Sequence, residues 1–142
     1  MALNFKISEL IYSQKAVQNN INNMPDINAL DNMLILIVEC LQPIRNLIKK
    51  PMIVTSGFRN TIVNKFVNGS TTSDHLTGRA VDFVINGMTP KQIIEIIRKS
   101  GIKYTQLIEE YSNGTSWVHV SYNPNNLKCE TLKCENGIYT KI

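Results

Sequence analysis

Residues 73–85 read SDHLTGRAVDFVI, a polar loop that leads into a segment rich in β-forming residues. In a strand that begins at Ala80, alternate side chains point to opposite faces, so Ala80 and Asp82 share one face. The small Ala80 leaves room beside the Asp82 carboxylate, and Gly78 lets the chain turn so that His75 can fold back toward it. This stretch therefore predicts a strand that presents a carboxylate within reach of an imidazole.

The only other histidine, His119, lies in a segment with the same alternation. Trp117 and His119 share a face if residues 117–122 are extended. A preceding β-rich stretch and the turn residues 112–116 make this segment the second strand of a predicted hairpin. Two imidazoles and a carboxylate form a zinc ligand set with one position open for water, which zinc makes a nucleophile. On spacing alone, two ordinary histidines and a structural aspartate remain an alternative.

Helical patterns come first in the chain and strand patterns come later. Apolar residues recur three and four apart over 29–49, which predicts a helix, and Pro43 predicts a kink or break near Leu41. Thr89 is placed to cap a second helix over 90–100. Further strands are predicted at 52–55 and 80–85, with one or two in the tail. The predicted class is α+β, with N-terminal helices packed on a small, mainly antiparallel sheet.

Composition sets limits on the class of protein. A length of 142 residues predicts one domain, and 43% hydrophobic against 18% charged residues excludes a disordered chain. The net charge of +4 comes from scattered basic residues, so no nucleic-acid partner is expected. No apolar run approaches the ~20 residues that cross a bilayer, so no transmembrane segment is expected.

The cysteines and the N-terminus bear on where the protein is made. There are three cysteines, Cys40, Cys129 and Cys134, and an odd number predicts free thiols rather than a disulfide framework. The spacing of Cys129 and Cys134 matches no common zinc knuckle, and their role stays open. The first residues lack a basic segment followed by an apolar stretch, so no signal peptide and a reducing compartment are expected.

Two motifs together resemble a known family. Ser-x-His-x-x-Gly-x-Ala-x-Asp at 73–82, followed by Trp-x-His at 117–119, resembles the zinc D-Ala-D-Ala carboxypeptidase family. That family includes phage endolysin peptidases and belongs to the group of folds shared by lysostaphin, D-Ala-D-Ala peptidases and hedgehog proteins. Several other segments are similar to its phage and prophage members, namely 5–10, 41–45, 54–60, 106–108 and 118–122. The resemblance implies a hedgehog-like fold, with an N-terminal helical segment over about 1–28 and a catalytic core over 29–142.

By this resemblance, one zinc ion per chain is held by His75, Asp82 and His119. The family also needs a carboxylate that takes a proton from the attacking water, and here Glu109 and Glu110 compete. A one-residue change of hairpin register decides between them. The similarity of Gln-Leu-Ile-x-Glu at 106–110 to the family favours Glu110, and Glu109 is the alternative.

Arg59 matches the Ser-Gly-aromatic-Arg segment of the family. The match implies that its guanidinium binds a substrate carboxylate or stabilises the oxyanion of the reaction; a surface salt bridge is the alternative. Ser73 and Trp117 are the other expected contacts for substrate. Trp117 is otherwise a core or cavity-wall residue.

The function that the resemblance implies is zinc-dependent hydrolysis of peptide bonds in bacterial peptidoglycan stem peptides, of the D-Ala-D-Ala carboxypeptidase or endopeptidase type. The alternatives are an L-alanyl-D-glutamate endolysin peptidase, and a non-catalytic, zinc-stabilised wall-binding or virion module. The expected partner is the peptidoglycan peptide, and a monomer is expected. A phage or prophage product would be made in the host cytoplasm and reach the cell wall after membrane rupture.

Overall fold

The computed structural model describes residues 2–142, and within that range most of the α-helices precede the sheet strands that carry the candidate site. The helices are α1 (Ile7–Ile11), α2 (Gln14–Gln18), α3 (Ile27–Leu36), α4 (Gln42–Ile48), α5 (Thr61–Phe66) and α6 (Pro90–Lys99). A 3-10 turn spans Asp74–Thr77. As predicted, Thr89 caps α6, and its hydroxyl accepts a hydrogen bond from the backbone N–H of Gln92. Two of the helices, α3 and α6, each place three side chains in the main core.

A π-helical turn, Ile37–Leu41, joins α3 to α4 without a break. Pro43 lies two residues after it and has no N–H to donate, and a widened turn is one way in which a helix accommodates proline. The 22 helical residues Ile27–Ile48 are long and apolar enough to cross a membrane by length and composition alone. Core helices share that property, and here the inward face lies in the core through Met33, Leu36, Ile37, Leu41 and Ile44.

Six strands form one open sheet. They are β1 (Ile53–Ser56), β2 (Ala80–Val84), β3 (Gln106–Ser112), β4 (Thr115–Ser121), β5 (Glu130–Glu135) and β6 (Ile138–Lys141), in the order β1-β2-β4-β3-β5-β6. Every neighbouring pair is antiparallel except β3 and β5, which are parallel. The predicted α+β class with a mainly antiparallel sheet is confirmed. The parallel pair makes the sheet mixed.

The hairpin of β3 and β4 has a tighter turn than predicted. Its strands reach Ser112 and Thr115, so only Asn113 and Gly114 remain as the turn. Both residues have positive φ, 50° and 78°, as a two-residue type I′ turn requires. Such a short turn leaves little freedom for slippage, so it determines the register of both strands.

The two faces of the sheet have different roles. One face packs on the helices and contributes Val81, Phe83, Leu107, Val118 and Val120 to the main core. Because side chains alternate along each strand, the residues between these positions point to the other face. That second face carries Asp82 and His119, and it is where the candidate site lies.

Candidate metal centre

The three predicted metal ligands come from three separate elements and meet at one point. His75 lies in the 3-10 turn, Asp82 in β2 and His119 in β4. Asp82 and His119 are direct partners across the β2–β4 ladder, so their side chains share a face. One ligand atom from each of the three residues lies within 4.8 Å of the others. The sheet therefore supplies two ligands, and the turn before β2 supplies the third.

His75 is held in one orientation by the backbone. Its ring is buried, and Nδ1 lies 2.7 Å from the carbonyl oxygen of Gly57. A carbonyl oxygen only accepts hydrogen bonds, so Nδ1 carries a hydrogen and Nε2 is the ring nitrogen available to a metal. Nε2 points to Oδ1 of Asp82, 3.3 Å away. This arrangement, in which a carbonyl fixes the tautomer of a ligating imidazole, is typical of metal sites.

Asp82 lies between the two imidazoles. His119 Nδ1 is 3.0 Å from the same Oδ1 atom, and the two rings meet edge to face with centroids 5.1 Å apart. Burial alone would raise the pKa of Asp82, but the imidazoles of His75 and His119 outweigh it and hold the pKa well below its usual range. Burial likewise opposes the charged form of His119, and the Asp82 carboxylate outweighs it and raises that pKa. Two imidazole nitrogens and one ionised carboxylate match the ligands that zinc takes in hydrolases, so the residues fit a zinc ion.

The register of the hairpin decides which glutamate faces the ligands. Glu110 pairs with Trp117 and Ile108 pairs with His119, so Glu110 is on the face of His119. The indole N–H of Trp117 donates a hydrogen bond to Oε2 of Glu110. Glu109 is buried and points to the opposite face of the sheet. The register thus brings Glu110, rather than Glu109, to the ligands, and its catalytic role stays a prediction.

Glu110 has an environment that favours its protonated form. Burial and the nearby Asp82 carboxylate raise its pKa, and His119, Trp117 and Arg59 oppose the shift only in part. A carboxyl group with a raised pKa holds a proton more readily than one in water. Its ionised form is correspondingly a stronger base, which suits it to take up and give back a proton.

Arg59 lies beside the ligand-bearing turn. Its backbone N–H donates a hydrogen bond to the carbonyl oxygen of His75 at 3.0 Å, and Nη2 lies 3.5 Å from Oγ of Ser73. Among residues 2–142 it forms no salt bridge, and its Nε is buried without a hydrogen-bond partner. Burial lowers the pKa of Arg59, while Asp82 and Glu110 oppose this shift. The guanidinium is therefore free to bind an anionic or carbonyl oxygen.

A cavity of about 600 Å³ opens over the ligands. It is lined by the predicted site residues Arg59, Ser73, His75, Asp82, Glu110, Trp117 and His119. The sequence reasoning missed Gly57, which contributes only a backbone carbonyl, and Leu132, Cys134 and Tyr139 of the tail, which also line the cavity. Gly57 lies in the segment quoted for Arg59, but a carbonyl has no sequence signature. The tail residues carried no signal because their place depends on a long-range strand pairing.

The comparisons with known proteins agree with this geometry. The family model described as Peptidase M15 matches residues 3–121, which is most of the chain. A search of curated proteins returned no match. The matched region contains the three ligands, both glutamates and Arg59, and it ends before β5. The chain belongs to the peptidase M15 family, the family of the zinc D-Ala-D-Ala carboxypeptidases, and is a metallopeptidase.

Proposed function

We propose that the protein is a zinc-dependent peptidase that hydrolyses peptide bonds in peptidoglycan stem peptides, as a D-Ala-D-Ala carboxypeptidase or endopeptidase. One observation carries the proposal: the His75, Asp82 and His119 cluster opens into a cavity that also holds Glu110 and Arg59. Membership in the M15 family supports peptide hydrolysis and zinc. The choice of stem peptide rests on the resemblance to wall-degrading members.

His75, Asp82 and His119 would hold the metal. When bound, zinc supplies Lewis-acid chemistry, in that it polarises the scissile carbonyl and lowers the pKa of water to ~7. The protein's own contribution is to keep the three side chains in place before the ion arrives. Gly57 does this for His75, and the strand pairing of β2 with β4 does it for Asp82 and His119.

Glu110 is the group that moves the proton. Its carboxylate takes a proton from the attacking water as the new bond to the carbonyl carbon forms, and then gives that proton to the leaving amine nitrogen. The hydrogen bond from Trp117 keeps one carboxylate oxygen engaged, so the carboxylate is held in a single orientation. General acid–base catalysis of this kind contributes typically 10²–10⁴-fold to the rate.

Arg59 binds the oxygen that becomes negative. Its Nη2 has only a long contact with Ser73, so it can turn toward the substrate carbonyl or toward a terminal carboxylate. A cation placed in a partly buried cavity stabilises a developing oxyanion more strongly than one in water. Arg59 and Ser73 thus contribute to the proposed substrate site, and Trp117 lines the same cavity.

The first test compares two glutamates that are adjacent in the chain. Glu110→Gln should lower release of peptide fragments from purified peptidoglycan by about 10²–10⁴-fold while the zinc content stays at one per chain. Glu109→Gln, on the opposite face of the same strand, is the matched control and should keep activity near wild type. Equal loss in both variants, or none in either, would contradict the proposed role of Glu110.

The second test identifies the bond. Purified peptidoglycan is digested with and without a chelator, and the released products and new termini are identified by mass spectrometry. Release of D-alanine, or cleavage of cross-links at D-alanine, supports the D-Ala-D-Ala type. New D-glutamate N-termini would instead indicate an L-alanyl-D-glutamate peptidase. Binding to the wall without any cleavage would indicate a non-catalytic module.

We further propose that the protein is a phage or prophage product that is made in the host cytoplasm and reaches the cell wall after membrane rupture. The similarity of several segments to phage and prophage members supports this route. Fractionation of producing cells before and after lysis tests it. Protein found in the wall fraction before any membrane damage would contradict it.

A further inference from the structure

The hairpin of β5 and β6 extends the metal-bearing face of the sheet. Cys134 of β5 pairs with Glu110 on one side and with Tyr139 of β6 on the other. Trp117, Glu110, Cys134 and Tyr139 therefore form one row across four strands, with all four side chains on the same face. Tyr139 thus lies on the face that carries the proposed catalytic residues, although it is far from them in the chain.

This part of the face has an apolar floor. Ile108, Leu132 and Cys134 form a buried cluster that is separate from the main core and lies on the metal-bearing side of the sheet. Ile108 is the direct strand partner of both His119 and Leu132, so the floor begins at the metal ligands. An apolar surface next to an open polar site is suited to a small aliphatic side chain of a ligand.

Tyr139 forms the rim of this floor. It is 57% exposed, yet it lines the same cavity as the metal ligands. Burial of its hydroxyl and the nearby Cys134 and Glu110 raise the pKa of Tyr139 to about 12. Tyr139 therefore borders the cavity, whose lining also includes Val67, Asn68, Gly69, Ser70, Thr72 and Ser73.

The dimensions match an extended peptide. Two strand spacings of ~4.8 Å separate the backbone of β3 from that of β6, and an extended chain advances ~3.3 Å per residue. A peptide whose scissile bond lies at Glu110 can therefore place a residue two or three positions away beside Tyr139. The family match ends at residue 121, so the hairpin lies outside the region that the family model matches.

We propose that the C-terminal hairpin is the specificity wall of the cavity, where Leu132 with Ile108 receives an alanine methyl group of the stem peptide and Tyr139 packs on the peptide beside it. This inference rests on the proposed function for the identity of the peptide. It assigns Tyr139 and Leu132 as specificity-determining residues.

The test uses full-length Tyr139→Ala and Leu132→Ala proteins. The substrates are a synthetic pentapeptide stem, L-Ala-D-Glu-L-Lys-D-Ala-D-Ala, and analogues in which each alanine in turn is replaced by glycine. Ile138→Ala is the matched control, because Ile138 is exposed on the same strand but points to the other face. Binding is measured separately from cleavage in the zinc-loaded Glu110→Gln background, through the fluorescence of Trp117, the only tryptophan.

We expect Tyr139→Ala to raise both KM and Kd at least fivefold, with kcat changed less than twofold, and Ile138→Ala to change neither. Wild type should prefer one alanine over glycine by about 10-fold or more, and Leu132→Ala should remove most of that preference. The inference would be overturned if Tyr139→Ala had the KM and Kd of wild type, or if folded Leu132→Ala kept the wild-type preference for alanine over glycine. Circular dichroism establishes whether Leu132→Ala is folded. Tyr139→Ala gives a second test of the hairpin's role, because the Tyr139 side chain is exposed and its loss should not disturb folding.

The two measurements separate this inference from the proposed function. If the peptide binds in a way that depends on Tyr139 but the wild type does not cleave it, the proposed hydrolysis is overturned and the proposed role of the C-terminal hairpin is supported. If cleavage is unchanged by both substitutions, the proposed hydrolysis is supported and the proposed role of the C-terminal hairpin is overturned. Absence of both binding and cleavage would overturn both.

Discussion

Asp82 is the residue on which the candidate site depends most. One of its oxygens lies within 3.3 Å of His75 and within 3.0 Å of His119, so a single atom orients both imidazoles. The depressed pKa of its carboxyl keeps it ionised across the neutral range, which is the state that a metal ligand requires. Loss of this charge should therefore affect metal binding more than it affects the fold.

Asp82→Asn tests this dependence. The amide keeps the size of the side chain and removes its charge, so we expect the affinity for zinc to fall by at least ~100-fold. Elemental analysis and titration against a chelator measure the change. Asp74→Asn, a neighbouring acid that is not in the ligand cluster, is the control and should bind zinc as wild type does. Full zinc occupancy in Asp82→Asn would contradict the assignment.

Cys40 shows the effect of burial on a single thiol. It is fully buried, and burial, with a contribution from Cys129, raises its pKa from 9.0 to about 12. At pH 8 its thiolate is ~10³-fold scarcer than that of an ordinary cysteine, so iodoacetamide should alkylate it at least ~100-fold more slowly than half-buried Cys129. Peptide mapping measures both rates, and in urea the two should become similar. Equal rates in the native protein would contradict the burial of Cys40.

The same shift predicts a pH dependence of stability. Above about pH 9 the Cys40 thiol ionises in the unfolded chain but stays protonated in the folded protein until about pH 12. The folded state then binds more protons than the unfolded state, so this residue lowers the free energy of unfolding as the pH rises through that window. We expect the free energy of unfolding, measured by urea titration, to fall less between pH 8 and pH 10 in a folded Cys40→Ala variant than in the wild type.

At the scale of elements, the 3-10 turn Asp74–Thr77 joins the helical part of the molecule to the sheet. The backbone N–H of Gly78 donates to the carbonyl oxygen of His75, and Gly78 has φ of +75°. A Cβ there would lie 2.6 Å from the carbonyl oxygen of Ala29. The turn is thus pressed against α3, and this contact determines where His75 lies. Glycine is needed here for its conformation and for its size.

Gly78→Ala tests that contact. We expect it to lower the free energy of unfolding by about 3 kcal/mol or more, because a left-handed alanine costs ~1–2 kcal/mol and the clash with α3 adds to it. Gly101→Ala is the matched control, since Gly101 has a similar φ of +82° with nothing within 4 Å of the added Cβ. It should lose only about 1–2 kcal/mol. Urea denaturation measures both, and similar losses in the two variants would contradict the close approach.

At the scale of the whole molecule, the site joins parts of the chain that are distant in sequence. His75 precedes the sheet strands that carry Asp82 and His119, and the carbonyl that orients His75 comes from the segment after β1. An ion bound by all three ligands therefore binds the folded protein far better than the unfolded chain. Metal binding and folding stability must then be linked.

Removal of zinc should consequently lower the Tm. At free zinc of 100 times its Kd, binding stabilises the folded state by about 2.7 kcal/mol, which corresponds to roughly 5–10 °C for a domain of this size. Thermal melts of the zinc-loaded protein with and without a chelator measure the shift. Asp82→Asn should show almost none, which separates loss of the ligand set from a general effect of the chelator. An unchanged Tm in the zinc-loaded wild type would contradict a site that bridges the three elements.

The sequence by itself determined the α+β class, because alternation and caps are local properties of the chain. It singled out His75, Asp82 and His119 through two short motifs that resemble a zinc peptidase family, whereas spacing alone left ordinary histidines as an alternative. It did not determine which glutamate faces the ligands, since Glu109 and Glu110 are adjacent and only the β3–β4 register separates them. The parallel pairing of β5 with β3 was also beyond local patterns, because it depends on which edge of the folded sheet is left to accept another strand. Whether a side chain of the tail reaches the site is thus decided by tertiary structure, through contacts between segments far apart in the chain.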